Sequence, residues 1–551
     1  MRKWLTRRKR LSVIVVVHNM AREAPRTLYS LSTDYQRDIA KDDYEVLVVD
    51  NGSQPPLGES VLQNLSGNFS YIYHPPGNPS PVAAINAAAL QAHGEMIGIL
   101  IDGARLCSPG LLSWALRARA AFAQPFVATL NWHLGPSVQN IAITQGYTKG
   151  REDQLLAESD WQHDGYSLHN ISTLGGSSAH GYFMPAAESN GFFMPRKLFD
   201  RIGGYDAGFV SPGGGLANLD IYKRACETPH TNLVVLLGEG TFHQLHGGVM
   251  TNIDPAAQQR RWQTYEQEYA ELRGSKYKIP TCKAVYMGPV PDASLPVLQE
   301  SAFNASLAAA QNNGAITMST DLANRPGVGL KPGDSHYRAW VGPPENYDLL
   351  AAVQFSLLTE LGLRDYHHLL DIGCGSLRAG RLFIPYLLPD HYYGIEPERW
   401  LIEEGIRNEL GQSLIDLKRP RFAHNRDFDF SVFGCQFDFM LAQSILTHAG
   451  RTQIQTCFLA AARALTPQGL FVFTYIPAAE DHPGDDWVYP DLTGYTRNFM
   501  MDAADRAGLE LTPINWHHPG VVQPRWLAAG HSGLLERLPD DMTRDWLQDE
   551  P

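Results

Sequence analysis

Two α/β domains in tandem are what this 551-residue sequence predicts, and three observations carry the prediction. The chain is too long for one ordinary core. In its first hundred residues, strand-like and helix-like segments alternate, and two of the strands run into an aspartate, Asp50 and Asp102. Far downstream, His368 to Gly380 reads H-L-L-D-I-G-C-G-S-L-R-A-G: an apolar strand ending in an acid, a glycine-rich turn, then a helix. Tyr392-Tyr393-Gly394-Ile395-Glu396 follows as a second short strand ending in a carboxylate, at the spacing of about twenty residues where a ribose diol needs an acceptor.

Leu11 to Val17, L-S-V-I-V-V-V, is a buried strand by its β-branched run, and Glu45 to Val49, followed by Asp50-Asn51-Gly52-Ser53, is a second strand ending in a polar turn. Val82 to His93 reads as a helix stopped by Gly94, and Met96 to Ile101 delivers Asp102 to the end of a further strand. This alternation predicts a parallel sheet, with ligands beyond the carboxyl ends of the strands, where both aspartates sit. From Asp254 onward a polar helical stretch runs through Arg273, then Pro, Gly, Ser and Asn occur without sustained period. The expected boundaries are a basic tail over 1–10, a first domain over 11–255, a connector with some helix over 256–335, and a second domain over 336–551 that opens with a helix from Asn346 to Leu361.

Hydrophobic residues at 44% and charged residues at 19% are globular values, and no stretch approaches the ~20 uninterrupted apolar residues of a membrane span. A net charge of -13 argues against a general nucleic-acid partner. The tail M-R-K-W-L-T-R-R-K-R reads first as a solvated terminus and second as a candidate for peripheral contact with an anionic membrane surface; it lacks the apolar stretch of a secretory signal. Six cysteines are scattered without C-x-x-C pairing, so neither a zinc site nor a disulfide framework is indicated and a reducing cytoplasm fits.

The motifs V-I-V-V-V-H-N, V-L-V-V-D-N-G-S, G-I-L-I-D-G-A and F-F-M-P-R-K-L-F-D-R-I-G-G-Y-D-A-G-F resemble those of family 2 glycosyltransferases with the A-type nucleotide-sugar-binding fold, over about residues 11 to 255. The resemblance implies a nucleotide-sugar donor, with Asp50 as nucleoside-binding carboxylate and Asp102 as the first acid of a D-x-D element that binds a divalent cation, Mn or Mg. Gly103 and Ala104 follow Asp102, so the second acid is missing, and metal binding leans on a later histidine. His243 and His246 of F-H-Q-L-H-G-G are the candidates, one of them expected as ligand and His243 favoured. In L-A-N-L-D, Asp220 is the only carboxylate where the family places its acidic pair. It is either the general base for inverting transfer or a helix cap.

D-x-G-x-G with the later Glu396 resembles the cofactor site of class I S-adenosylmethionine-dependent methyltransferases, which have a Rossmann-like seven-stranded sheet. Asp371, Gly373, Gly375 and Glu396 carry over as S-adenosylmethionine contacts, and Asp427 as an adenine contact, with Asp429 its rival. An N-P-P-Y signature is absent after the fourth strand, which shifts weight to an oxygen acceptor. His448 is a candidate base or a packing residue, and His517 and His518 are weaker candidates. Together the resemblances imply a bifunctional cytoplasmic enzyme, acting on a glycan or lipid-linked glycan acceptor, peripheral to the membrane if the tail binds there. Two alternatives stand beside it. In one the first domain is a degenerate carbohydrate-binding module; in the other the methyl acceptor is a protein or small molecule.

Overall fold

A computed structural model describes residues 10–75, 79–312, 327, 329–519, 523–539 and 542–543, so the basic tail lies almost wholly outside the described residues. The chain divides into two compact units, Met1–Ser301 and Ala302–Pro551.

The first unit is built on a ten-stranded sheet. In chain order its strands are β1 (Leu11–Val17), β2 (Tyr44–Asn51), β3 (Phe69–His74), β4 (Met96–Leu100), β5 (Arg105–Cys107), β6 (Pro125–Leu134), β7 (Ser172–Leu174), β8 (Gly191–Pro195), β9 (Asn232–His243) and β10 (Ala284–Met287). The order across the sheet is β10-β9-β6-β8-β4-β1-β2-β3, with β5 on β9 and β7 on β6. Strands β1, β4, β6 and β8 are buried along their whole length, as strands covered on both faces must be. The expectation of a parallel sheet holds for β4, β1, β2 and β3. It fails at β8, which runs antiparallel to both β4 and β6, with Leu100 opposite Gly191. Periodicity cannot tell strand direction, which follows from where the intervening loops return the chain.

The stretch 256–335 needs a second correction. Its first part is no connector: the helix Pro255–Arg273 leads to β10, which adds a parallel edge strand to β9. A four-residue strand is too short to show a period. The later part, 313–326 and 328, lies outside the described residues.

The second unit holds a seven-stranded sheet of β11 (Leu369–Ile372), β12 (Tyr392–Ile395), β13 (Arg421–Ala423), β14 (Phe437–Ala442), β15 (Leu465–Tyr475), β16 (Glu510–Ile514) and β17 (Arg525–Gly530). The order is β13-β12-β11-β14-β15-β17-β16, parallel except where β17 inserts antiparallel between β15 and β16. This is the Rossmann-like arrangement the glycine motif implied, and the helix expected before it is present as Tyr347–Glu360. Phe471, Phe473, Leu527 and Ala529 on the sheet pack with Phe458 and Ala461 of the helix Arg451–Ala464 to form the core on one face. Among the described residues no helix is long and apolar enough to cross a membrane.

Candidate active sites

In the first unit, β1, β2 and β4 end side by side, Val17 being opposite Asp50. Asp50 is fully buried and saturated: Ser53 N–H donates to Oδ1 at 2.8 Å, while Leu57 N–H and the Tyr71 hydroxyl donate to Oδ2 at 2.7 and 2.8 Å. Burial pushes its acidity constant up, but these hydrogen bonds together outweigh it and hold the carboxyl below its ordinary range. Its visible role is to shape the loop after β2.

Asp102 stands one bend beyond β4. Ala104 N–H donates to its Oδ1 at 3.0 Å and Arg105 Nε to its Oδ2 at 2.9 Å. Ala104, which stands where the second acid would be, is fully buried. The compensating ligands come from β9 and the turn after it. One potential ligand atom each from Asp102, His243 and His246 lies within 4.8 Å of the others, and the two histidine Nε2 atoms are 3.1 Å apart. His243 Nδ1 faces Gln139 Oε1 at 2.6 Å, so Nδ1 carries the proton and Nε2 keeps its lone pair toward the cluster. Burial first, then the positive charge of Arg105, lowers the acidity constant of His243 well below the usual histidine value; burial likewise lowers His246. Neutral imidazoles and one carboxylate make a donor set that fits a divalent transition cation. The sequence favoured one histidine, and the fold brings both.

Arg105, only 5% exposed, adds a fixed positive charge and donates from Nη1 to Asn131 Oδ1 at 2.6 Å. Asp220, by contrast, is spent on structure. It is 1% exposed in the helix Ala217–Glu227, and accepts from Arg224 Nε at 2.7 Å and from Arg273 Nε and Nη2 at 2.6 and 2.8 Å. With both oxygens held by guanidinium groups, it is not presented to an acceptor hydroxyl. This corrects the expectation of Asp220 as base, and the geometry is that of an anchor between two helices. The cap alternative fails as well, since Asp220 lies inside the helix and Leu216 is its N-cap.

In the second unit the glycine turn follows β11. Gly373 and Gly375 have φ of +68° and +54°, and a Cβ there would meet Ile445 Cδ1 at 2.1 Å and Val341 Cγ1 at 2.4 Å. The turn therefore admits only glycine at both positions, with Ile445 and Val341 packed against it. Glu396, 8% exposed at the end of β12, accepts from Gly375 N–H at 3.0 Å and Glu398 N–H at 2.9 Å, and burial pushes its carboxyl up to about 7. Asp371 accepts from the Tyr392 hydroxyl at 2.7 Å and is raised by burial to about 6. These residues fit the amino-acid and ribose portions of the expected cofactor. Asp429 caps the turn Phe430–Phe433 through Ser431 N–H at 3.0 Å, leaving exposed Asp427 as the adenine candidate.

His448 Nδ1–H donates to the Asp491 carbonyl at 2.6 Å, so Nε2 is the lone-pair nitrogen. Burial lowers its acidity constant, and the ring lies against Tyr489 and Trp487 at centroid distances of 4.9 and 5.9 Å. The imidazole is therefore held in one orientation. In the same unit, buried Arg378 donates to Gln443 Oε1 and, at 2.5 Å, to the Val341 carbonyl, and Gln443 Nε2 lies 3.0 Å from His518 Nε2.

Residues 12–118 match the family Glycosyl transferase family 2. The first unit carries a family 2 glycosyltransferase domain. By that domain the chain is a transferase, and the matched residues contain Asp50, Asp102 and Arg105. No curated protein sequence matches the chain. Among solved structures, a S-adenosylmethionine-dependent methyltransferase from Clostridium acetobutylicum is similar at 12% identity, over 34% of this chain and 92% of that one, with a TM-score of 0.27. The glycopeptide N-methyltransferase MtfA complexed with S-adenosyl-L-homocysteine is similar at 12% identity, over 33% and 90%, with a TM-score of 0.26. Streptomyces venezuelae DesVI is similar at 14% identity, over 34% and 92%, with a TM-score of 0.26. The fold of the second unit follows from its own strand order and glycine turn. In the glycosyltransferase unit, sequence reasoning missed Gln139, Asn131 and the position of Arg105. Only Arg105 carried a signal, three residues after Asp102.

Proposed function

We propose that the chain is a bifunctional enzyme of glycan biosynthesis, which transfers a sugar from a nucleotide-sugar donor and methylates a glycan hydroxyl from S-adenosylmethionine. The observation that carries the reading is that each sheet ends in its own ligand cradle: Asp102, His243 and His246 in the first, Gly373, Gly375 and Glu396 in the second.

In the first cradle Asp102, His243 and His246 would hold a divalent cation, which would supply positive charge for a departing diphosphate. Arg105 supplies a second, permanent positive charge, and Gln139 keeps His243 in the tautomer that can ligate. The loop shaped by Asp50 forms the nucleoside side of the pocket. In the second, S-adenosylmethionine supplies the methyl group. Glu396 would accept from the ribose hydroxyls, the glycine turn would admit the amino-acid end, and Asp427 would meet the adenine. His448, neutral and oriented by the Asp491 carbonyl, removes the acceptor proton. A glycan built by the first unit and methylated by the second gains from the linkage if both sites reach one acceptor.

The saturated carboxylates of Asp50 and Asp220 favour a second reading, in which the first unit binds carbohydrate without turnover. Incubation with radiolabelled S-adenosylmethionine, a panel of nucleotide sugars and Mn2+ separates the two. Release of nucleoside diphosphate together with methyl label in glycan supports the bifunctional enzyme. Methyl label in glycan with no diphosphate released supports the binding module, and label in protein overturns the glycan acceptor.

A further inference from the structure

With Asp220 held by two arginines, the transfer proposed for the first unit lacks a base, and the structure offers another carboxylate. Glu188 lies just before β8, whose first residue Gly191 is opposite Leu100, and Ile101 N–H donates to the Asn190 carbonyl at 3.2 Å. Glu188 thus lies in the loop that enters β8, at the end of the sheet where Asp102 follows β4. Asn218, 7% exposed in the first turn of the helix Ala217–Glu227, donates from Nδ2 to Glu188 Oε2 at 2.6 Å. The Tyr205 hydroxyl donates to Asn218 Oδ1 at 2.9 Å, which fixes the amide with its NH2 toward the carboxylate. Tyr205, Asn218 and Glu188 form a hydrogen-bonded chain that aims one acid.

The alternatives are occupied. Asp50 is saturated by loop donors, Asp102 belongs to the cation cluster, and fully buried Glu239 is engaged by Ser108 and Tyr166. Glu188 is only partly buried. The buried hydroxyl of Ser177 lies beside it, within hydrogen-bonding reach of the carboxylate.

We propose that Glu188 is the general base of sugar transfer, with Asn218 and Tyr205 as its positioning residues. This rests on the reading of the first unit as a working glycosyltransferase. As the acceptor oxygen bonds to the anomeric carbon, its O–H bond breaks and the proton passes to Glu188. The bond from that carbon to the diphosphate oxygen breaks with its electron pair leaving on the diphosphate, and the configuration inverts. Burial holds the Glu188 carboxyl above its ordinary range, the direction that strengthens it as a base. The titratable and charged groups facing it are Arg105, Tyr205 and Tyr277.

The test uses the full chain with Mn2+ and UDP-glucose, UDP-N-acetylglucosamine, GDP-mannose and dTDP-rhamnose, following diphosphate release against pH and the Kd of each nucleoside diphosphate with Mn2+. Glu188→Gln is expected to lower kcat by about 100-fold or more, with KM and the Mn-nucleotide Kd within about threefold and the rising limb of the pH profile gone. Asn218→Ala removes a donor to the carboxylate, so its limb moves to higher pH with a smaller loss of kcat. If the Gln variant does not fold, Glu188→Asp, which keeps the acid but withdraws it, is expected to retain the limb at reduced kcat. A Gln variant with wild-type kcat and limb, or an Asp variant indistinguishable from wild type, overturns the assignment while leaving the transferase reading intact. Wild-type protein that binds Mn-nucleotide but releases no diphosphate from any donor overturns both.

Discussion

A carboxyl group buried beside a glycine turn is costly to ionise, and Glu396 is such a group. Its acidity constant, about 7 in the folded protein against an ordinary 4.5, means the folded state holds a proton that the unfolded state has released between those two values. Stability of the cofactor-free second unit therefore falls as pH rises through that window, by on the order of 3 kcal/mol from this group. Urea unfolding at pH 5 and 8 should show the fall, and Glu396→Gln should flatten it. Binding has the opposite sign, since accepting from two ribose hydroxyls needs the ionised form. Affinity for S-adenosylhomocysteine is expected to weaken up to tenfold per pH unit below about 7, measured by calorimetry. At the first cradle, His246→Ala removes one of three donors. It should weaken Mn-dependent nucleotide binding about tenfold or more while leaving methyl transfer unchanged.

At the scale of elements, the strand–turn–helix after β11 works only with glycine at its turn. Gly373→Ala places a side chain at positive φ and against Ile445, costing about 1–2 kcal/mol of stability and closing the cradle. Thermal unfolding with and without S-adenosylhomocysteine should show both a lower midpoint and no ligand response. The helix Ala217–Glu227 is fastened to the helix Pro255–Arg273 by Asp220 between Arg224 and Arg273. Asp220→Ala removes the carboxylate shared by two partly exposed guanidinium groups, of which Arg273 keeps its ion pair with Asp206, and a loss of about 1–2 kcal/mol from the first unit is expected. Unchanged unfolding with lost sugar transfer would instead restore Asp220 as the base.

For the whole molecule, two compact units with separate cores predict two unfolding transitions, each answering to its own ligand. In scanning calorimetry, S-adenosylhomocysteine at a hundred times its Kd should raise one transition by about 2.7 kcal/mol, and a nucleoside diphosphate with Mn2+ should raise the other. Asp102→Asn is expected to remove the second response and spare the first, and Asp371→Asn the reverse. Loss of both responses from either change, in folded protein, would sink the two-site organisation.

What the sequence determined by itself is what local spacing encodes. The β-branched runs of β1 and β2 and the D-x-G-x-G turn are contiguous patterns and lie where the reading put them, while the helix expected to run to His93 ends at Gln91. Gly373 and Gly375 were legible because positive φ and close approach are demands on a single residue. Tertiary structure alone decided whatever depends on residues distant in the chain meeting. The antiparallel course of β8, the late strand β10, the joining of His246 to Asp102 and the withdrawal of Asp220 between Arg224 and Arg273 are pairings that no periodicity records. A carboxylate's availability is set by the donors that reach it. Those donors arrive from other elements: for Asp220 from a helix some fifty residues on, as Arg273 shows at a separation of 53.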